Sequence, residues 1–393
     1  MATHTVKRIV NGQPFSIETG RMAKQADGAV VVRMGDTMVL VAVVAAQKKT
    51  DRDFFPLTVE YREKFYASGR IPGGFFKREG RPGERETLTA RLIDRPIRPL
   101  FDKHFMTETQ VIATPISYDG VNAPDVVSIV GASAALALSD IPFEDLVSGV
   151  RVGRIEGQFV VNPTTEQIEA SDIDVIIAGT DTGVMMVEGG CREVSEEDML
   201  SAVRFGHEEI KRLNALQKEL VAAAGGKKKR VVEVPERLAE LDGKIAKTFS
   251  DRIGQALFIA KKLDRQDALK AIHKDALAAY EVDYPEKGAY VALVLEEIEK
   301  KLMRNMILEK GKRLDGRGTT DIRPISGEVG VLPRAHGSAL FTRGETQSLV
   351  TTTLGTSDDE QMLDTIEGES WKRYMLHYNF PAFSVGEVGR FGG

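Results

Sequence analysis

The chain has 393 residues, a net charge of −5 and 42% hydrophobic residues, enough for roughly two to three domains with ordinary cores. Its single cysteine, Cys191, excludes an internal disulfide and fits a reducing compartment. The opening "MATHTVKRIVNGQPFSIETG" lacks an apolar signal core, and no later run approaches the roughly 18 apolar residues of a membrane span, so a soluble cytoplasmic protein is expected.

The first elements read as hairpins. "TVKRIV" and "QPFSIET" flank Asn11-Gly12, a pair suited to a type I′ turn. "AVVVRM" and "TMVLVAVVA" flank Gly35-Asp36, and their near-continuous apolar character predicts central strands covered on both faces. Residues 126–139, "VVSIVGASAALALS", read as a buried helix whose small residues allow close packing. Short strands follow at "SGVRVGRI", "GQFVVNP", "DIDVIIAG" and "GVMMVEGG". From about Ser195 to Ala224 the period is helical, and Gly225-Gly226 breaks it. The tetrad Lys227 to Arg230 reads as a charged, solvated connection. Helical segments then fill 236–304, and a strand-like pattern returns at Ile322.

That return is a repeat. "GAVVVRMGDTMVLV" (28–41) aligns without gaps with "GSALFTRGETQSLV" (337–350), matching Gly28 to Gly337, Gly35 to Gly344 and Thr37 to Thr346 at an offset of 309. "SGRIPGG" (68–74) matches "VGRFGG" (388–393) later in the same order. Ordered matches at turn glycines and strand positions imply a duplicated domain with a helical insert between the copies.

Familiar catalytic signatures are absent. "GHEEIKR" begins like a zinc-protease helix, but Lys211 stands where a second histidine ligand belongs, which leaves His207 an ordinary helix residue. "AGTDTG" (178–183) lies between two strands and reads as a hairpin turn. Asp172 and Asp174 flank Ile173 on a strand and share a face; they could hold a magnesium ion or form a polar strand edge.

Charge distribution points elsewhere. The window from Tyr61 to Lys103 carries +5 within an acidic chain, the electrostatic footprint of a nucleic-acid binder or a solvated face. Inside it, "GGFFKREGR" (73–81) sets Phe75 and Phe76 beside Lys77 and Arg78 among glycines and prolines. Aromatic faces stack on unpaired bases of any sequence while neighbouring cations attract phosphates. Arg91, Arg95 and Arg98 follow at helical spacings that place them on one face. The rival reading of this loop is an oligomer interface.

The block "FFPLTVEYREKFYASGRIPGGFFKREGRPGERETLTARLIDRPIRPLF" (54–101), with "NAPDVVSIVGASAALALSDIPF" and "LFTRGETQSLVTTTLGT", closely resembles bacterial polynucleotide phosphorylases across essentially the whole chain. The resemblance implies an α/β (α+β) chain. Residues 1–210 would form a first ribonuclease PH-like domain, non-catalytic and RNA-guiding. Residues 211–308 would form an all-helical domain, and 309–393 the start of a second ribonuclease PH-like domain, catalytic in the family. It implies a homotrimeric ring around a channel for single-stranded RNA. The activity implied is 3′-to-5′ phosphorolysis to nucleoside diphosphates, reversible as 3′ polymerisation, with Mg²⁺ and inorganic phosphate as co-substrate. An RNA-degradation assembly containing an endoribonuclease is the implied wider partner. Phe75, Phe76, Lys77 and Arg78 match the loop at the channel entrance, while Arg81 and Arg98 match arginines on the RNA path.

The first copy departs from the active pattern. "NAPDVV" puts Pro124 and Asp125 where the family's catalytic copy has a serine-rich phosphate loop, and Asp125 would repel phosphate. Asp174 occupies an aspartate position of the metal site, but Ile176 stands where lysine is needed. No catalytic or metal residue is therefore assigned in this sequence. Those residues, and the KH and OB-fold modules, are expected beyond Gly393. A chain that ended there would be a non-catalytic RNA-binding or assembly scaffold. A hydrolytic 3′ exonuclease, using water in place of phosphate, is the third reading.

Overall fold

β1 (His4–Val10) and β2 (Gln13–Thr19) open the computed structural model, which describes residues 2–50, 52, 54–234 and 236–389. Asn11 and Gly12 between them take φ of 46° and 72°, the left-handed pair that a type I′ turn requires. Then come β3 (Gly28–Met34), β4 (Thr37–Lys49), β5 (Leu57–Tyr61), α1 (Glu84–Ile97) and β6 (Thr107–Ser117). The strands form one sheet in the order β1-β2-β3-β4-β6-β5, antiparallel throughout except for β5 beside β6.

The long apolar segment is α2 (Pro124–Leu138), and every residue in it except Ala137 is buried. It lies between two sheets. On one side it packs across β3 and β4; on the other it meets β7 (Ser148–Ile155). The small residues make this approach possible. A Cβ on Gly131 would stand 2.5 Å from Val41 Cγ2, and one on Gly149 would stand 2.6 Å from Ile129 Cδ1. β4 is central as expected, but its inner residues alternate between buried and half-buried and its far end is exposed. It is fully covered on the α2 face alone.

β8 (Gln158–Val161), α3 (Thr165–Ala170), β9 (Ile173–Gly179) and β10 (Val184–Cys191) follow, and the second sheet has the order β10-β9-β7-β8. α4 (Glu196–Ala224) starts where the Ser195 hydroxyl accepts from the Asp198 amide at 3.1 Å, runs unbroken through position 210 and stops at left-handed Gly225. One apolar core joins both sheets, α2 and α4.

Of the basic tetrad, Lys228 is exposed as expected, but the other three are engaged within the chain. Lys229 Nζ donates to the carbonyls of Leu136, Ala137 and Ser139 at 2.8, 3.0 and 2.8 Å, capping the negative end of α2. Burial draws its ammonium down to about 8. Arg230 reaches Asp27 and Asp140, and Lys227 donates to the Asp27 carbonyl at 2.6 Å. The sequence reading failed here because nothing local marks a carbonyl cluster some ninety residues away.

The chain divides into two compact units, one of residues up to Val234 with those from Glu360 onward, the other between them. In the second unit, α5 (Ala239–Leu257), α6 (Lys262–Tyr280) and α7 (Gly288–Lys310) surround their own core of Leu241, Ile245, Phe249, Ile253 and Leu295. β11 (Ile325–Val329), β12 (Gly337–Arg343) and β13 (Thr346–Thr352) complete that unit as a three-stranded sheet. β14 (Gln361–Thr365) and β15 (Gly368–Lys372) form a hairpin in the first unit.

The repeat is visible in register. Met34 faces Thr37 as Arg343 faces Thr346, and the turn glycines Gly35 and Gly344 take φ of 58° and 62°. A side chain at either position would be strained, which is why glycine recurs there. The later match, 68–74 with 388–393, ends on residues 390–393, outside the described ones. A further correspondence, which the sequence reading did not draw, is visible nearby. The 3₁₀ turn Phe65–Ser68 ends on Gly69 at φ 69°, and the 3₁₀ turn Ala382–Val385 ends on Gly386 at φ 76°.

Candidate nucleic-acid interface

The aromatic loop has a fixed base and an open tip. At the base, the Arg70 amide donates to the Phe65 carbonyl at 3.0 Å, and Arg62 Nη2 to the Gly80 carbonyl at 3.1 Å. Glu86, at the start of α1, accepts from the amides of Gly83 at 2.7 Å and Glu63 at 2.9 Å. These bonds tie both strands of the loop to the end of β5 and to α1. At the tip, Phe75 is 92% exposed and Phe76 82% exposed. Their rings meet edge to face, 5.4 Å between centroids at 86°, which leaves ring surface open to a third partner. Lys77, Arg78 and Arg81 are exposed around them.

This arrangement bears on stability as well as binding. Burying a phenylalanine is worth roughly 1.5–3 kcal/mol, so two side by side in solvent forgo that gain. Paired exposed rings with adjacent cations are the combination that stacks on bases and attracts phosphates. The tip is not folded into the protein's own interior.

Arg98 is placed differently from the loop cations. Its Nε lies 3.0 and 3.1 Å from the two Asp94 carboxylate oxygens, Nη2 donates to the Leu57 carbonyl at 3.0 Å, and the guanidinium lies 6.0 Å from the Phe55 ring centroid. It pins the end of α1 to the start of β5. Arg95 pairs with Glu188, while Arg91 is exposed. The shared helical face is real in spacing, but two of its three arginines are engaged within the chain.

The aspartates proposed for magnesium are also engaged. Arg151 bridges Asp125, at 2.6 Å, and Asp174. Arg154 Nε lies 2.9 Å from Asp172, and its Nη1 lies 3.0 Å from Asp198. Hydrogen bonding to Arg154 holds the Asp172 carboxyl below its ordinary range. Among the described residues no three His, Cys, Asp or Glu side chains stand together as a metal site would need. The set does not fit Mg²⁺, because each carboxylate already faces a guanidinium. The expected repulsion of phosphate by Asp125 is offset for the same reason. His207 Nε2 lies 2.9 Å from the Thr180 carbonyl and ties α4 to the β9–β10 turn, where "AGTDTG" lies.

Sequence reasoning missed Arg62 and Glu86, whose side chains hold the loop's base. They lie inside the charged block, but nothing in their spacing separates them from the exposed cations.

Comparison with known proteins decides the family. The model of the 3′ exoribonuclease family, domain 1, matches in two pieces, residues 11–142 and 321–393, one in each copy of the repeat. Domain 2 of that family matches 145–209, and the RNA binding domain of polyribonucleotide nucleotidyltransferase matches 240–318. A polyribonucleotide nucleotidyltransferase of Geotalea uraniireducens (strain Rf4) is 54% identical over 96% of this chain. The chain belongs to the polynucleotide phosphorylase branch of the 3′ exoribonuclease family. It carries two ribonuclease PH-like regions with a helical polynucleotide phosphorylase region between them. A second relative, from Citrifermentans bemidjiense, is 50% identical over 98% of this chain. The chain spans about half the length of these relatives, 54% and 55%. Among solved structures, an Archaeoglobus fulgidus exosome with RNA bound to the active site aligns at 18% identity and a TM-score of 0.44, covering 55% of this chain and 87% of that one. No helix among the described residues is long and apolar enough to cross a membrane.

Proposed function

We propose that the protein acts in 3′-to-5′ phosphorolysis of single-stranded RNA, with inorganic phosphate as the attacking group and nucleoside diphosphates as products, reversible as 3′ polymerisation. The observation that carries this reading is the tip at Phe75, Phe76, Lys77, Arg78 and Arg81. It is exposed on an anchored base, in a chain of the polynucleotide phosphorylase branch. The first copy guides RNA and is not catalytic. Three chains close a ring in the cytoplasm, and three such tips form its entrance, where stacking selects unpaired bases because a duplex hides its base faces. Mg²⁺ is the expected metal, held by residues other than Asp125, Asp172 and Asp174. An RNA-degradation assembly containing an endoribonuclease is the expected wider partner.

Incubating a labelled oligoadenylate with Mg²⁺, with and without phosphate, tests the activity on the full-length protein. Nucleoside diphosphates released only when phosphate is present support the reading. Monophosphates released without phosphate would show hydrolysis instead. Binding without turnover would favour the scaffold reading, which draws support from the arginine-paired aspartates of the first copy.

A further inference from the structure

Both stems of the aromatic loop end on one β-hairpin from the second copy of the repeat. Arg70, at the N-terminal stem, pairs with Asp364 through Nη2 at 2.7 Å and also donates to the Thr365 carbonyl. Arg85, just past the C-terminal stem, pairs with Glu367, which also lies 3.4 Å from the Tyr118 hydroxyl. Lys372 pairs with Glu84 beside it. Between the stems, the loop backbone presses on the same hairpin: a Cβ on Gly73 would stand 2.5 Å from Asp364 Oδ2. Asp364 and Thr365 end β14, Glu367 lies in the turn, and Lys372 ends β15. Four residues of one hairpin therefore meet the two ends of one loop.

We propose that Asp364 and Glu367 are positioning residues: they clamp Arg70 and Arg85 and so set the stance of the Phe75–Phe76 tip toward RNA. The proposal deepens the RNA reading of the loop and rests on it. A tip on a free stem must be ordered each time it grips a strand, and that conformational entropy opposes binding. A tip whose two ends are already ion-paired and half-buried starts ordered. The clamp also makes the RNA-guiding first copy sensitive to the second copy, since the hairpin belongs to the segment matched as the later domain-1 piece. Partly buried arginine–carboxylate pairs suit the task because their charge-assisted hydrogen bonds fix orientation.

The test uses the full-length protein and a fluorescein-labelled oligoadenylate. Asp364→Asn keeps the side chain's shape and removes its charge. Its expected effects are about tenfold weaker RNA binding, equivalent to ~1.4 kcal/mol, and several-fold faster trypsin cleavage after Lys77 and Arg78, with melting temperature unchanged. Binding is then measured for Phe75→Ala/Phe76→Ala with and without Asp364→Asn. If Asp364 acts through the tip, its effect disappears once the rings are gone. Additive losses, or normal binding and normal cleavage for Asp364→Asn, overturn the proposal. Should Asp364→Asn lower the melting temperature by several degrees, Glu367→Gln undergoes the same measurements, and the same outcomes support or overturn the clamp. The two levels separate cleanly: faster cleavage with no change of RNA affinity in the ring-less variant keeps the clamp and sinks the RNA reading.

Discussion

Asp119 fixes the mouth of the β3–β4 hairpin. Its carboxylate accepts from the Asp36 amide at 3.0 Å, the Thr37 hydroxyl at 2.9 Å, and the Val121 and Asn122 amides at 2.9 and 2.8 Å. Burial pushes its pKa up, but the bonds from Asn122, Val121 and Asp36 outweigh that and hold it at about 2. A folded-state value below the unfolded one means a contribution complete above the ordinary carboxylate range and lost as pH falls toward about 2. Asp119→Asn is expected to destabilise by ~1–3 kcal/mol at neutral pH. Thermal melts of both proteins from about pH 7 to about pH 2 should show the gap narrowing on acidification. A gap of constant size would show that shape, not charge, matters at this site. Lys229 illustrates the same scale from the opposite sign: a cation that local sequence marks as solvated is half-buried because three carbonyls of one helix end converge on it.

At the scale of the element, the loop of residues 70–83 separates two tasks. Its base is built from hydrogen bonds and ion pairs, and its tip from rings and cations that stand in solvent. Phe75→Ala/Phe76→Ala is expected to weaken single-stranded RNA binding roughly 10- to 100-fold, at ~1–3 kcal/mol per stacked base. Its stability should change by less than about 0.5 kcal/mol, as for other exposed sites. Unfolding of that variant would instead assign the rings a packing role. The cations should behave differently. Arg78→Ala/Arg81→Ala is expected to flatten the dependence of log K on log salt by ~0.7 for each phosphate no longer neutralised, while the ring variant leaves that slope unchanged. Titrations at several salt concentrations distinguish the two. Helix α2 shows how an element's setting follows from composition: Gly131 toward one sheet and Ile129 against Gly149 of the other let it lie between both.

At the scale of the molecule, the proposed ring reconciles an acidic chain with a polyanionic partner, because the field that RNA meets is the local one of three clustered tips. Light scattering of the full-length protein should give a mass near three times that of one chain, and a monomeric mass with full RNA affinity would remove the ring from the mechanism. The hairpins at the turn glycines, the buried helix, the helical insert and the duplication were all legible from residues 5–41, 126–139, 236–304 and 337–350. Turns and periods are local properties, decided by φ/ψ limits and by which side chains alternate. The exposed tip was legible too, since glycine, ring and cation side by side leave no room for a core. What only the tertiary structure decided is which charges remain open to a partner. Arg78, Arg95, Arg98, Arg151 and Lys229 belong to the same two residue types, yet only long-range packing engages Arg98 with the Leu57 carbonyl, Arg151 with Asp125, and Lys229 with α2, leaving Arg78 in solvent. A charge finds its partner through space, and sequence spacing carries no record of that distance.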